Sequence, residues 1–349
     1  MRFIHTADFH LKMNPEKDYE WSKDRKREIY GTFEKIVLGA AEQGAELLLI
    51  AGDLFHEQPR IRDLKEADSV FGRIPAVHVV IIAGNHDYIR SGSAYNDFTW
   101  SPNVTFLASD RPESVYFEDI NTEVYGFSYH DRMVREDRTE GLKPASPSRI
   151  NILMVHGGTA EDVPFDTKAL ENSGFDYVAL GHIHKAGEIG RNVRYCGSPE
   201  PLDRNETGEH GYILGEIDDK EHGNLQVSFV KAAQRQYFHE SITVNPDMTQ
   251  YLLKERIAGL IEEKGTGNYY CIELTGRRAP ETVFETEDLP RNVLSVTDNT
   301  VPDYDFDRLQ AENSDNVIGM FIASVRNSGE DAQVVEKALY YGLEALRET

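Results

Sequence analysis

Five short apolar runs in this chain each end in residue types that bind metal ions. Residues 1–4 lead into His5, Thr6, Ala7, Asp8, Phe9 and His10, and residues 47–50 into Ala51, Gly52, Asp53, Leu54, Phe55 and His56. Residues 79–82 lead into Ala83, Gly84, Asn85, His86 and Asp87, residues 150–155 into His156, Gly157 and Gly158, and residues 177–180 into Gly181, His182, Ile183 and His184. Carboxylate, amide and imidazole donors together suit borderline divalent cations such as Mn²⁺, Fe²⁺ or Zn²⁺. A lone D-x-H or H-x-H is usually an accident of composition. Five in order, each at the end of an apolar run, point to a metal centre, and a centre with these ligands points to hydrolysis.

Short Val/Ile/Leu runs bounded by glycine read as strands buried on both faces. In open α/β sheets the ligand sits beyond the carboxyl ends of the strands, so five strands could deliver these side chains to one sheet edge. Gly52, Gly84, Gly157 and Gly181 allow sharp turns where the backbone crowds the metals. Between the runs, residues 22–43 have helical spacing at Ile29, Phe33, Ile36, Val37 and Ala40, with Gly44 as the stop, and residues 60–71 read as a second helix. Residues 12–21 form a long loop. Short strands at 103–107, 114–117 and 123–129 suggest a second, largely antiparallel sheet packed against the first. Tyr125, Phe127 and Tyr129 alternate as a core face. Strands continue at 193–196 and 212–217.

Composition shifts near residue 236. Residues 1–235 form the expected first domain and residues 236–349 a smaller α/β second domain. Its expected order is strand 241–244, helix 249–263, strands 269–274 and 293–298, a strand-like 317–323, and a helix over 331–347. The second segment carries 21 acidic and 10 basic residues, the first 39 and 27. The net charge of −23 over 349 residues argues against a protein that coats nucleic acid by bulk electrostatics. It leaves local phosphate binding open, because two divalent cations would outweigh the charges of Asp8 and Asp53. No apolar stretch is long enough to span a bilayer and no signal peptide is expected. The two cysteines, Cys196 and Cys271, have no CxxC spacing. They suggest a reducing, cytoplasmic setting and small buried side chains.

The ordered motifs resemble the calcineurin-like metallophosphoesterase superfamily, over about residues 1–200. The resemblance implies an α/β fold: a two-sheet metallophosphoesterase sandwich flanked by helices, with a smaller C-terminal α/β capping domain. It implies two divalent ions, Mn²⁺ first, with Fe²⁺, Zn²⁺ or Mg²⁺ as alternatives. One ion would take Asp8, His10, Asp53 and His184, the other Asp53, Asn85, His156 and His182, with Asp53 bridging. Such a pair sits about 3.5–4 Å apart and clamps a phosphoryl group. By the same resemblance His86 is not a ligand but protonates the leaving oxygen or stabilises charge in the transition state, and Asp87 is expected to fix its tautomer and raise its basicity.

Three features are similar to the SbcD-type DNA double-strand-break repair nucleases within that superfamily. They are the opening His5-Thr6-Ala7-Asp8-Phe9-His10-Leu11, the Gly52-Asp53-Leu54-Phe55-His56 motif, and Tyr195-Cys196-Gly197-Ser198-Pro199-Glu200-Pro201 followed by Gly208-Glu209-His210-Gly211-Tyr212. In that branch the residue at His56 helps to place a DNA phosphate. Phe9 and Lys12 stand where Trp and Gly are common there, which suggests a YhaO-like offshoot. The expected phosphate contacts are Lys12, Lys17, Arg25, Lys26 and Arg27, then Arg60 and Arg62, then Arg90, forming a rim that positions a backbone without reading bases. No G-x-x-x-x-G-K-[ST] occurs. The resemblance therefore implies a separate coiled-coil ATPase partner and a homodimer. Two other functions compete: a phosphodiesterase for nucleotides or other small phosphodiesters, and a scaffold that has lost its chemistry. His78, His130, His210, His222 and His239 read as structural or surface residues.

Overall fold

The computed structural model describes residues 1–17, 19, 22–218 and 224–347; Trp21 of the expected first loop and His222 lie outside them. In chain order the first unit contains β1 (Arg2–Thr6), α1 (Ser22–Glu42), β2 (Leu47–Ala51), α2 (Ile61–Phe71), β3 (His78–Ile82), β4 (Val104–Phe106), β5 (Glu113–Phe117) and β6 (Thr122–Gly126). It continues with β7 (Ile150–His156), α3 (Thr167–Glu171), β8 (Tyr177–Gly181), β9 (Gly187–Glu188), β10 (Val193–Tyr195), β11 (Gly211–Ile217) and β12 (Leu225–Lys231).

One sheet has the order β12-β11-β1-β2-β3-β4 and the other β5-β6-β7-β8-β10-β9. Side chains on a strand alternate between faces, and β2 shows how one run serves two cores. Leu48 and Ile50 pack with Ile29, Phe33, Ile36 and Val37 of α1 and Leu64 of α2. Leu47, Leu49 and Ala51 face the other way, onto Ile152 and Met154 of β7. Leu153, Val155, Val178 and Leu180 cover the outer face of the second sheet with Tyr125, Phe127, Tyr129 and Leu170 of α3. The result is helices, sheet, sheet, then α3 with its loops.

The second sheet is not largely antiparallel. β6–β7, β7–β8 and β8–β10 are parallel, and only the rim pairs β5–β6 and β9–β10 are antiparallel. Parallel neighbours need long crossovers; residues 127–149 and the α3 segment supply two of them. Strand β4 joins the first sheet beside β3 instead of opening the second.

The chain divides into two compact units, Met1–Tyr237 and Phe238–Thr349. Around the second unit run β13 (Tyr237–Val244), α4 (Gln250–Lys264), β14 (Tyr269–Arg278), β15 (Val293–Asp298), β16 (Val301–Pro302), α5 (Phe306–Glu312), α6 (Val317–Arg326) and α7 (Ala332–Arg347). Its core gathers Ile242, Leu253, Ile257, Tyr270, Ile272 and Leu274. The strand-like 317–323 is the start of helix α6. The Asn316 side chain accepts from Ile318 N and Gly319 N, so a polar N-cap turns the apolar run into a helix. Among the described residues no helix is long and apolar enough to cross a membrane.

Candidate metal centre

The five ligand-bearing ends do not share one sheet edge. β1, β2 and β3 bring three from the first sheet, β7 and β8 bring two from the second, and the two carboxyl edges meet. The loops after β1 and β2 are stitched together by backbone bonds: Asp8 N to Gly52 O at 3.1 Å, His10 N to Asp53 O at 3.0 Å, and Leu11 N to Leu54 O at 2.9 Å. Asp8, His10, Asp53 and His182 all have left-handed backbone, with φ of 53°, 46°, 50° and 90°. Such conformations cost about 1–3 kcal/mol each for non-glycine residues and persist where the surroundings enforce them, as at functional sites.

The side chains converge. Asp53 Oδ2 lies 3.5 Å from His10 Nε2 and 3.4 Å from His156 Nε2. Asp8 Oδ1 lies 4.0 Å from His10 Nε2 and 3.9 Å from His184 Nε2. Asn85 Oδ1 is 3.0 Å from His156 Nε2. His156 Nδ1 donates to Ala51 O at 2.9 Å, which leaves Nε2 as the nitrogen that faces Asp53 and Asn85. Backbone donors hold the carboxylates: His182 N reaches Asp8 at 3.0 Å and His86 N reaches Asp53 Oδ1 at 2.9 Å. Asp8, His10 and His184 form one cluster of ligand atoms within 4.8 Å of one another, and Asp8, Asp53 and His156 form a second. His182 stands beside them, its ring 5.3 Å from that of His156 and its Nε2 3.6 Å from Asp162 Oδ2.

This donor set fits divalent cations. His10 Nε2 and His184 Nε2 face each other at 3.2 Å. Two imidazole lone pairs in that position repel unless a proton or a cation lies between them. Two buried carboxylates close by supply the countercharge.

The close packing leaves no room for a methyl group at two glycines. A Cβ on Gly84 would lie 2.2 Å from Asp53 Oδ1 and 2.7 Å from Asp53 N, and one on Gly181 would lie 2.0 Å from Ala51 O. Neither has positive φ, so here glycine serves close approach and not a sharp turn.

Burial lifts the Asp8 carboxyl to about 6. Burial also opposes ionisation of Asp53, but the charges of His156 and His10 hold it below the usual carboxylate range. Against burial, Asp53 and Asp8 raise His156 to about 10, and Glu206 and Asp8 raise His184 to about 9. Burial, with His156 adding to it, lowers His182 to about 4. Without metal, then, protons on His156 and His184 balance the carboxylates, and cation uptake releases protons.

A third cluster comprises His10, His56 and His86. His56 Nδ1 is 3.2 Å from His10 Nδ1, and His86 stacks on His56 with centroids 5.0 Å apart. His86 Nδ1 donates to His56 O at 3.0 Å. Asp87 therefore does not fix the His86 tautomer. Fully buried, it accepts from Gly84 N at 2.8 Å, Phe55 N at 3.2 Å and Tyr95 Oη at 2.8 Å, and so ties the third loop to the second.

The expected cationic rim is smaller than the sequence suggested. Arg25 is wholly buried, bonded to Glu28, Glu200 and Pro201 O, and cannot reach a ligand at the surface. Lys12 is engaged by Asp63, Arg27 by Asp24, and Arg62 more loosely by Asp63 at 3.4 Å. Lys17, Lys26, Arg60 and Arg90 are exposed. Among the other histidines, His210 is buried against Ser198, His78 pairs with Asp119, and His130 bonds Ala108 O. Cys196 is buried and Cys271 half-buried, both free. Two carboxylates were missed by sequence reasoning. Glu206 Oε1 accepts from His184 Nδ1 at 2.6 Å, and Asp162 lies beside His182. Both sit in irregular loops, where no periodicity marks them.

A two-sheet sandwich with these clusters at its meeting edges is the setting of a metal-dependent phosphoesterase. The calcineurin-like phosphoesterase family model matches residues 1–186, and the chain belongs to that family. Membership implies divalent metal ions at the site. The chain is similar to the uncharacterized metallophosphoesterase YhaO of Bacillus subtilis (strain 168), 26% identical over 309 residues, 82% of this chain and 74% of that one. It is 31% identical over 223 residues to the DNA double-strand break repair protein Mre11 of Methanocaldococcus jannaschii, which covers 60% of this chain and 59% of the relative. It is 26% identical over 281 residues to the SbcD component of the nuclease SbcCD of Escherichia coli (strain K12), 65% of this chain and 69% of the relative. The match thus spans less than two thirds of that Mre11 relative.

Proposed function

We propose that this chain is a two-metal phosphodiesterase that cuts DNA, with Mn²⁺ as its working ion. The observation that carries the reading is the meeting of three clusters: two of carboxylates and imidazoles suited to cations, and the His10–His56–His86 group beside them. Asp8, His10, Asp53 and His184 would hold one ion, and Asp53, Asn85, His156 and His182 the other. Bound there, two divalent ions supply electrophilic stabilisation of phosphoryl oxygens and a nucleophile at neutral pH.

The chain's own residues do the rest. Ala51 O fixes the His156 tautomer. With Nδ1 committed to His56 O, His86 has Nε2 left to exchange a proton with the leaving oxygen. His56, partly exposed between His10 and His86, is suited to hold a phosphate oxygen. Lys17, Lys26, Arg60, Arg62 and Arg90 would steer the strand toward the centre through its backbone charges. The nuclease names among the relatives support DNA over a small phosphodiester. The smaller second unit would act as a substrate-recognition cap. A coiled-coil ATPase and a second copy of the chain belong to the same reading, and co-purification tests both.

The deciding assay uses labelled duplex and single-stranded DNA beside bis(p-nitrophenyl) phosphate, with Mn²⁺, Mg²⁺ or chelator, and Asp53→Asn as control. Cutting of DNA with Mn²⁺ is expected, with the control inert. His86→Ala should keep its metal and lose most turnover. Turnover of the small ester with DNA left intact would refute the nuclease reading.

A further inference from the structure

The segment after the last ligand motif, with its Gly197-Ser198-Pro199-Glu200-Pro201 and Gly208-Glu209-His210 signatures, contributes no ligand to the metal centre. Its place in the fold gives it another task. Gly197, at φ 75°, lies directly against the last motif: a Cβ there would stand 2.8 Å from His184 O and 2.7 Å from Ala186 N. Ser198 N donates to His184 O at 3.0 Å. Ser198 Oγ is 3.0 Å from His210 Nδ1, and His210 Nε2 is 3.3 Å from Glu206 O. Both signatures thus fasten one loop to the backbone of His184.

That loop carries Glu206. Its Oε2 accepts from Leu202 N at 2.8 Å, and its own N donates to Asp203 O at 3.0 Å, so the carboxylate is fixed by its own loop. Its Oε1 accepts from His184 Nδ1 at 2.6 Å. The opposite nitrogen of that ring, Nε2, points at His10 and Asp8. Two other imidazoles of the centre are held differently. His156 donates to a neutral carbonyl, and His182 has its nearest carboxylate, Asp162, at 3.6 Å. An ionised acceptor makes a hydrogen bond roughly twice as strong as a neutral one. A carboxylate behind a ligating imidazole fixes its tautomer and raises its basicity.

We propose that Glu206 is the positioning residue of the cation site to which His184 belongs, and that it makes this site the tighter of the two. The inference rests on the two-metal reading above and gives the two sites unequal affinities. Glu206 acts through His184 and touches neither cation nor substrate.

The test measures Mn²⁺ uptake by the full chain through the loss of the free-ion spin-resonance signal, with thermal melting of the chelated protein alongside. The wild-type chain should take up two ions in a tighter and a weaker class. Glu206→Gln keeps the volume and one acceptor. It should weaken the tighter class by about tenfold, and Glu206→Ala by up to about 100-fold. Glu206→Asp should recover part of the loss. The weaker class should lose less than the tighter one in all three variants, because the two sites share Asp53, and chelated Glu206→Gln should still melt in one folded transition. Unchanged uptake in Glu206→Gln and Glu206→Ala overturns the proposal alone, as does an equal loss in both classes. A wild-type chain that takes up no Mn²⁺ overturns the two-metal reading and this inference with it.

Discussion

Replacing Arg25 with methionine should unfold the first unit's framework more readily while leaving any DNA contact untouched. The side chain has no exposed surface. Its guanidinium donates to Glu28 at 2.6 Å, Glu200 at 3.0 Å and Pro201 O at 2.9 Å. Glu28 keeps a second cation, Arg235, at 2.6 Å. Glu200 does not: 2% exposed, it would be left with the neutral donors Thr32 Oγ1 at 2.6 Å and Gln234 N at 2.8 Å. Stranding one charge of a buried pair costs about 3–5 kcal/mol. For a unit of this size that lowers the melting temperature by roughly 6–20 °C. Neutralising the stranded partner in Arg25→Met/Glu200→Gln should return about 1–2 kcal/mol of the loss. Thermal melting is read beside the salt dependence of DNA binding, which loses about one unit of slope for each phosphate contact removed. A variant that melts like wild type but binds DNA with a shallower salt slope would show that Arg25 faces the ligand, and the burial argument would fail.

Two further perturbations probe the centre's packing. Gly84→Ala puts a methyl group 2.2 Å from Asp53 Oδ1 and 2.7 Å from Asp53 N, and the Asp53 backbone is held by its bond from His10. A loss of about 1–3 kcal/mol is expected, with Mn²⁺ uptake and turnover abolished; near wild-type uptake would mean that the loops yield more easily than their bonding suggests. His5 is fully buried, and desolvation lowers it from 6.5 to about 3. The unfolded chain therefore takes up a proton below pH 6.5 that the folded chain refuses, and stability falls as pH drops from 6.5 toward 3. The loss at pH 5 is about 2 kcal/mol. His5→Asn should remove that share of the acid slope in urea titrations of chelated protein, and an unchanged slope would put the lability elsewhere.

Much of the centre was written locally. Each apolar run declared a strand through its own residues, and each ligand type stood at a strand end, so the site could be assembled from five short pieces without knowing how the strands pair. The buried stripe of α1 was equally local. It also placed Arg25 four residues before Ile29, on the inward face, a signal that outweighs the positive charge once Glu200 is there to meet it.

What the sequence alone determined, then, was which candidate ligand types stand at strand ends and which segments carry them. The tertiary structure decided which sheet each segment joins. A run such as residues 150–155 is equally apolar whether its neighbours are parallel or antiparallel, and only the crossovers settle the pairing. It turned Asp87 toward Tyr95 and away from His86, and made 317–326 a helix. It also brought Glu206 to His184 across 22 residues of chain. Ligand identity lies in the side chain itself, whereas a hydrogen-bond partner from an irregular loop is chosen by the packing of everything between.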